Sequence, residues 1–381
     1  MENKKNKILV YYSIFNLGGA ERSTLKLITK LLDKEHEVEV LVITNGGKLQ
    51  SQIDSRAKVS WLRSGDYGSK YTASKGFKKT YYLLLYLLTR LEGFFKGFFY
   101  KFKTYKAVII GLHGLSPKFC LENIKANTYI QFVRNDLKNC DQNFKAQNQI
   151  NKYGHLIDYY VCVSQTALES FSELYPKLIP KGKKIYNLLE SNVILKKSEE
   201  ALKDTSWSKE TINILTVCRI QEKSKGIYRM AKVFKELLAQ GYQITWYVIG
   251  DGVDFNEFKA YLIENNLQDK MVLLGAKPNP YPYFKRADLV AVLSYYEGLC
   301  GVVNEAKILE RPLVATEFSG VREQITEGVN GFVFNNSYEA ILIGMKKMLD
   351  NATKLNKMAI NGMPNEITDD NYKVEQLIKL F

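Results

Sequence analysis

The chain is predicted to be an α/β protein built as two doubly wound halves. Short apolar, β-branched runs alternate with helical segments, the pattern of parallel strands joined by crossover helices. That series stops at a polar stretch, residues 196–210, and restarts beyond it. The length of 381 residues exceeds one ordinary domain and suits two.

Each element follows from its residues. Lys7–Tyr12 (KILVYY) is a short buried strand, followed by a loop over Asn16–Ala20 and a helix over Glu21–Leu32. Val38–Thr44, Ala107–Gly111, Tyr129–Val133 and Tyr159–Val163 are further strands of the first half. Lys196–Glu210 has no strand signal and no firm helical stripe, and is predicted to be a linker. Ile212–Val217, Ile244–Ile249, Met271–Leu274, Leu289–Leu293 and Pro312–Thr316 form the second series. The boundary falls near residue 190, giving domains over 1–190 and 191–365. Ligands of such sheets bind beyond the carboxyl ends of the strands, so two facing halves are expected to hold a site in a cleft.

Composition narrows the function. Hydrophobic residues at 46% and charged residues at 25% exclude a disordered or fibrous chain. Five scattered cysteines without a C-x-x-C pair argue against a disulfide framework or zinc ribbon and fit a reducing compartment. Three histidines exclude a His-rich metal centre. No targeting segment is visible, and the longest apolar stretch, Tyr81–Leu88, is far below the roughly 20 residues of a spanning helix. A cytosolic protein, or one on a surface facing the cytosol, is expected.

The formal charge of +14 points to an anionic partner, and all of it sits in the first half. Residues 1–190 carry 30 Lys and Arg against 16 acids, whereas the remainder is neutral. Residues 70–106 hold nine basic side chains, among them Lys78, Lys79, Arg90, Lys96, Lys101 and Lys103, against one acid, Glu92. Leu84, Leu87, Leu88, Leu91, Phe94, Phe95, Phe98 and Phe102 recur there at helical spacing. Gly93 and Gly97 weaken one continuous helix, leaving two short ones open. One reading is a core helix with a solvated lysine face. The other is a helix in a membrane interface with its lysines on anionic head groups, which the basic run favours. Nucleic acid ranks last, because no recognition motif accompanies the charge.

The loops carry the chemistry. Gly18-Gly19 precede a helix and suit an anion at its positive end, although two glycines alone fit a tight turn equally. No complete G-x-G-x-x-G is present, so a dinucleotide fingerprint is not supported. Arg219 at a strand end and Lys225 six residues on put two cations beside a crevice, enough to neutralise a diphosphate leaving group without metal. Gly250, in Ile249–Gly252, keeps another strand end open. The segment Ser294–Ala306 (SYYEGLCGVVNEA) carries Glu297 and Glu305 eight residues apart, with glycines at 298 and 301. One carboxylate belongs to the turn and one to the first helical turns, where it suits a ribose. The alternative is a capping and a solvated glutamate.

Together, the E-x7-E segment, the Gly-Gly-Ala-Glu loop, the Arg219/Lys225 pair, Ile249–Gly252 and Gly328-Val329-Asn330-Gly331 resemble, in order and over nearly the whole chain, the family 4 glycosyltransferases. These are retaining enzymes of the GT-B fold, and the likeness is to the bacterial capsule, exopolysaccharide and O-antigen branch. Gly114–Phe119, Val161–Ser164 and Ile185–Asn187 echo that group too.

The resemblance implies that Arg219 and Lys225 hold the donor diphosphate and Glu305 the ribose. Glu297 and the amides of Gly298, Leu299, Cys300 and Gly301 engage the sugar, with Gly18 and Gly19 on its phosphate side. The first half takes the acceptor, and a C-terminal helix over about 366–381 packs back onto it. The resemblance further implies a nucleotide-sugar donor (UDP rather than GDP), a lipid-linked or growing glycan acceptor, and no metal or resident cofactor. An anionic membrane surface is a further expected partner, on the inner face of a bacterial cell membrane. Arg134 stands where many relatives have a histidine near the sugar. It pairs with an acidic sugar or acceptor phosphate, or is structural. Cys300, Asn304 and Leu188 also depart from the usual pattern. The alternatives are a GT-B epimerase, a phosphorylase, and a catalytically silent membrane-associated GT-B partner.

Overall fold

The computed structural model describes residues 6–16, 18–138, 144–202, 207–208, 210–297, 299–351, 367 and 369–381. Two compact units are present: Met1–Leu188 with Asp369–Phe381, and Leu189–Thr368. Gly298 and part of the 196–210 stretch lie outside the described residues.

The first unit is built on seven parallel strands: β1 (Lys7–Tyr12), β2 (Glu37–Thr44), β3 (Lys58–Arg63), β4 (Thr104–Ile110), β5 (Lys125–Val133), β6 (Tyr159–Cys162) and β7 (Gly182–Lys184). Their order is β3-β2-β1-β4-β5-β6-β7. Because successive side chains of a strand point to opposite faces, β1 feeds two cores. Ile8, Val10 and Tyr12 pack with Leu27, Ile28 and Leu31 of the helix Gly19–Asp33. Leu9 and Tyr11 pack with Val108, Ile110 and Phe171.

The second unit has six parallel strands: β8 (Ile212–Val217), β9 (Ile244–Ile249), β10 (Met271–Gly275), β11 (Leu289–Val292), β12 (Leu313–Thr316) and β13 (Phe332–Phe334). Their order, β10-β9-β8-β11-β12-β13, repeats that of the first sheet's opening strands. Both faces are again covered: Trp246 and Val248 lie in one core with Phe234, and Tyr247 and Ile249 in the other with Phe284 and Val303. Burial on both faces explains why the central strands are predominantly apolar.

The C-terminal helix Asp370–Ile378 belongs to the first unit. Val374 and Leu377 join that unit's core. The almost fully buried Lys373 donates to the Asn187 carbonyl at 2.9 Å and to Asp370 Oδ1 at 2.7 Å.

Three expectations are corrected. The stretch read as a linker begins inside a helix, Ser191–Ser198, whose Ile194 is buried against the second unit's core. The apolar stretch through Gly93 and Gly97 is one uninterrupted helix, Gly76–Tyr100, not two short ones. It is not a core helix with an inward apolar stripe either: only Thr89, Gly97 and Tyr100 are buried, and Phe94, Phe95 and Phe102 are 71%, 63% and 74% exposed.

Candidate functional site

In the second sheet the chain steps from β8 to β9 on one side, and β11 pairs with β8 on the other. The loops after β8 and β11 therefore part at their carboxyl ends, the place where doubly wound sheets bind ligands.

After β8, the Cys218 and Ile220 N–H groups donate to the carbonyls of Ile249 and Asp251, each at 3.0 Å. Arg219, held between these two anchors, is exposed, and it makes no hydrogen bond or ion pair with a described residue. The anchoring requires Gly250. Its φ is +153°, and a Cβ there would lie 1.7 Å from the Cys218 carbonyl oxygen.

The short helix Glu222–Lys225 then ends at Gly226. The Ser224 carbonyl accepts the N–H groups of Tyr295 at 2.9 Å and Tyr296 at 3.3 Å, latching the loop after β11 onto the loop after β8. Below the latch, Arg229 donates to the Leu293 carbonyl at 2.7 Å and to Asn336 Oδ1 at 2.6 Å, with its guanidinium 3.9 Å from the centre of the Tyr295 ring.

The latch brings Lys225 to Glu297. Lys225 Nζ donates to Glu297 Oε1, which also accepts from Ser294 Oγ at 2.9 Å. The two side chains are 17% and 18% exposed. Burial opposes the ammonium charge, but the neighbouring carboxylate outweighs it and holds the Lys225 pKa above its ordinary value. Thr216, Cys218, Lys225, Ser294 and Glu297 line one pocket. A largely desolvated cation beside a carboxylate can meet a phosphate and a sugar hydroxyl at one place.

Glu305 lies half-buried on the helix Gly301–Ile308, with the Tyr281 hydroxyl donating to its Oε1 at 3.5 Å. Leu299 is partly exposed, Cys300 buried and Gly301 exposed at the helix start. Burial pushes the Cys300 thiol well up, so it is inert as a thiolate. Gln324 fixes this turn: its Oε1 accepts the Cys300 N–H, and its Nε2 donates to the Cys300 carbonyl and to Asn304 Oδ1. The unusual Asn304 thus has its partner. Lys307, behind the turn, donates to the Gln324 carbonyl, and burial lowers its pKa to about 8.

Gly18, Gly19 and Arg134 belong to the first unit. Gly18 caps the helix Gly19–Asp33 with Glu21 in its first turn. Arg134 is 7% exposed and its guanidinium is engaged on three sides: Nε to the Gly111 carbonyl at 2.8 Å, one terminal nitrogen to Asn187 Oδ1 at 2.8 Å and the other to Thr24 Oγ1 at 2.9 Å. Burial lowers its pKa, with Tyr12 and Glu21 opposing. His113 Nδ1 accepts the Arg134 backbone N–H at 3.2 Å. These contacts make Arg134 a brace between β4, β5 and the first helix.

Of the basic residues assigned to a membrane or acceptor, Lys78, Lys79, Arg90 and Lys101 are exposed. Lys96 pairs with Glu92 at 2.8 Å. Lys103 is spent internally, donating to the buried Glu39 at 2.8 Å. Glu39 also accepts from the Tyr100 and Tyr105 hydroxyls. Burial opposes its charge, but these donors win and its pKa is lowered.

Ser294, Gln324 and Lys307 escaped sequence reasoning. Gln324 and Lys307 find partners that are distant or are backbone atoms, which leave no motif, and Ser294 meets Glu297 three residues on without a recognisable pattern. Asn187 sat in a segment that carried the resemblance, yet no local pattern joins it to Arg134, 53 residues away.

Two Rossmann-like parallel-sheet units define the class: the structure is similar to GT-B glycosyltransferases. Anabaena HepE in complex with UDP and glucose superimposes with a TM-score of 0.73 over 98% of each chain at 16% identity. At the level of sequence, residues 197–363 match the family described as glycosyl transferases group 1. The chain is 29% identical over 170 residues to the N-acetylgalactosamine-N,N'-diacetylbacillosaminyl-diphospho-undecaprenol 4-alpha-N-acetylgalactosaminyltransferase of Campylobacter jejuni, covering 44% of each chain. It is 24% identical over 146 residues to the capsular polysaccharide biosynthesis glycosyltransferase CapM of Staphylococcus aureus, covering 37% of each. The chain thus spans less than half the length of these relatives.

Proposed function

We propose that the protein is a retaining glycosyltransferase that moves a hexose-type sugar from a nucleotide diphosphate sugar to a lipid-linked or growing bacterial surface glycan. The observation that carries this reading is the Lys225–Glu297–Ser294 constellation at the parting loops of β8 and β11. Arg219 and Lys225 neutralise the diphosphate, Glu305 accepts the ribose hydroxyls, and Glu297 with the amides of the 298–301 turn orients the sugar. The bond from the anomeric carbon to the phosphate oxygen breaks as the bond to the acceptor oxygen forms on the same face. The acceptor proton passes to the departing phosphate. Positioning and charge neutralisation supply the rate rather than a strong base. UDP is the nucleotide favoured, as in the HepE complex, and a diphospho-undecaprenol-linked or capsular acceptor is suggested by the relatives' descriptions.

The test is incubation with labelled UDP- and GDP-sugars, with and without a lipid-linked acceptor. Donor hydrolysis or transfer that Lys225→Ala abolishes supports the reading. Absence of nucleotide binding in a melting assay with every donor overturns it in favour of a catalytically silent partner.

A further inference from the structure

The helix Gly76–Tyr100 has one face committed to the first unit. Gly93 lies over the Leu62 carbonyl, where a Cβ would sit 3.5 Å from the oxygen. At Gly97 a Cβ would come within 2.9 Å of the Phe119 ring. Thr89 and Tyr100 are buried on that same side, and Tyr100 is tied to Glu39 at 2.8 Å. The glycines that weaken the helix are therefore on its docking side: a Cβ at Gly93 would be in ordinary contact, whereas one at Gly97 would crowd the Phe119 ring.

The opposite face carries the large apolar residues. From Phe77 to Phe102, eleven leucine, phenylalanine and tyrosine side chains are half exposed or more. At 3.6 residues per turn they fall within an arc of about 140°. Eleven neighbouring apolar side chains at this exposure form a contiguous apolar strip of the kind that marks an interaction surface. No described helix is long and apolar enough to cross a membrane. The helix, about 37 Å long, is accordingly suited to lie along a surface rather than pass through one.

We infer that this strip is a membrane-interfacial platform that seats the first unit on an anionic bilayer, with Leu88, Leu91, Phe95 and Phe98 in the acyl boundary and Lys79, Arg90 and Lys101 on lipid phosphates. Charge selects the occupant. The region's only acid, Glu92, is consumed by Lys96 and the Ser64 N–H. The charges left over within residues 70–106 are thus cations, which an anionic lipid surface complements. A second copy docked face to face would set two basic rims against each other. The inference does not depend on the donor chemistry.

The test is co-sedimentation of the full chain with phosphatidylglycerol-containing vesicles and with pure phosphatidylcholine vesicles, at low and high salt. Wild type is expected to pellet with the anionic vesicles at low salt. Both Leu88→Asp/Phe95→Asp and Arg90→Glu/Lys101→Glu are expected to lose about tenfold in vesicle affinity. All four positions are exposed, and an unchanged melting temperature of each variant verifies its fold. Wild type left in the supernatant at low salt overturns the inference, as does a Leu88→Asp/Phe95→Asp variant that pellets like wild type. A concentration-dependent dimer dissolved by that variant, without vesicle binding, overturns it too and assigns the strip to self-association. No donor is present in the assay, so failure here leaves the sugar-transfer reading untouched.

Discussion

Gln324 grips Cys300 by both backbone polar atoms, accepting its N–H at 3.0 Å and donating to its carbonyl at 2.8 Å. A third bond, at 2.7 Å, reaches Asn304. Gln324→Leu leaves two buried polar groups unpaired, the Cys300 N–H and Asn304 Oδ1, each worth about 1–3 kcal/mol, and leaves the Cys300 carbonyl only the Asn304 N–H at 3.5 Å. The expected outcome is a lower denaturation midpoint together with a raised donor KM, measured by urea melts and initial rates. An unchanged donor KM in folded protein would remove Gln324 from any role in shaping the turn.

Lys225→Ala and Glu297→Ala each strand a largely buried charged partner. Loss of diphosphate neutralisation in Lys225→Ala is expected to lower kcat by about a hundredfold or more. Lys225→Arg, which retains charge but not shape, should recover part of it. Steady-state rates with the preferred donor decide this, and near-normal turnover of Lys225→Ala would remove that residue from the reaction.

For Arg134, three guanidinium bonds within the first unit make stability the readout. Arg134→Met should cost about 3 kcal/mol of folding free energy, measured by denaturant titration. A variant as stable as wild type but inactive would instead return Arg134 to the reacting groups.

Two glycines separate architecture from binding. Gly250→Ala forces a methyl into the Cys218 carbonyl and is expected to cost about 3 kcal/mol or more, read as poor expression or an early melt. Gly301→Ala meets nothing within 4 Å and should fold normally while weakening donor binding, as seen by calorimetry. Equal stability of the two variants would contradict the close approach at Gly250.

Lys307 gives a pH dependence. Its folded pKa of about 8 lies below the ordinary 10.5, so the folded state disfavours its charge. The resulting cost is complete below pH 8, on the order of 3 kcal/mol, and is relieved as pH rises from about 8 towards 10.5. Lys307→Met should therefore stabilise the protein more at pH 7 than at pH 10. Melting curves at the two pH values test the sign, and an equal gain at both would refute it.

What the sequence could disclose depended on where each strand sits in its sheet. β1, β8 and β9 are covered on both faces and paired on both edges, so their residues form apolar runs that announce themselves. β3 (KVSWLR), β7 (GKK) and β13 (FVF) lie at sheet edges, where pairing on one side tolerates charge and brevity, and none is evident from pattern. Gly93 and Gly97 misled because their low helix propensity is offset by close docking that only tertiary structure reveals. At the candidate site, loop chemistry singled out Lys225 and Glu297, but their meeting depends on the latch between Ser224 and Tyr295. A backbone hydrogen bond of that kind carries no residue signature.

The return of Lys373 to Asn187 has a consequence for biogenesis. Val374 and Leu377 fill the first unit's core, yet they are synthesised only after every residue of the second unit. A nascent first unit must wait, with part of its apolar interior uncovered, until the helix Asp370–Ile378 has emerged. The second unit, continuous in sequence, can mature meanwhile. Order of manufacture is thus the reverse of order of folding: the half that is begun first is finished last.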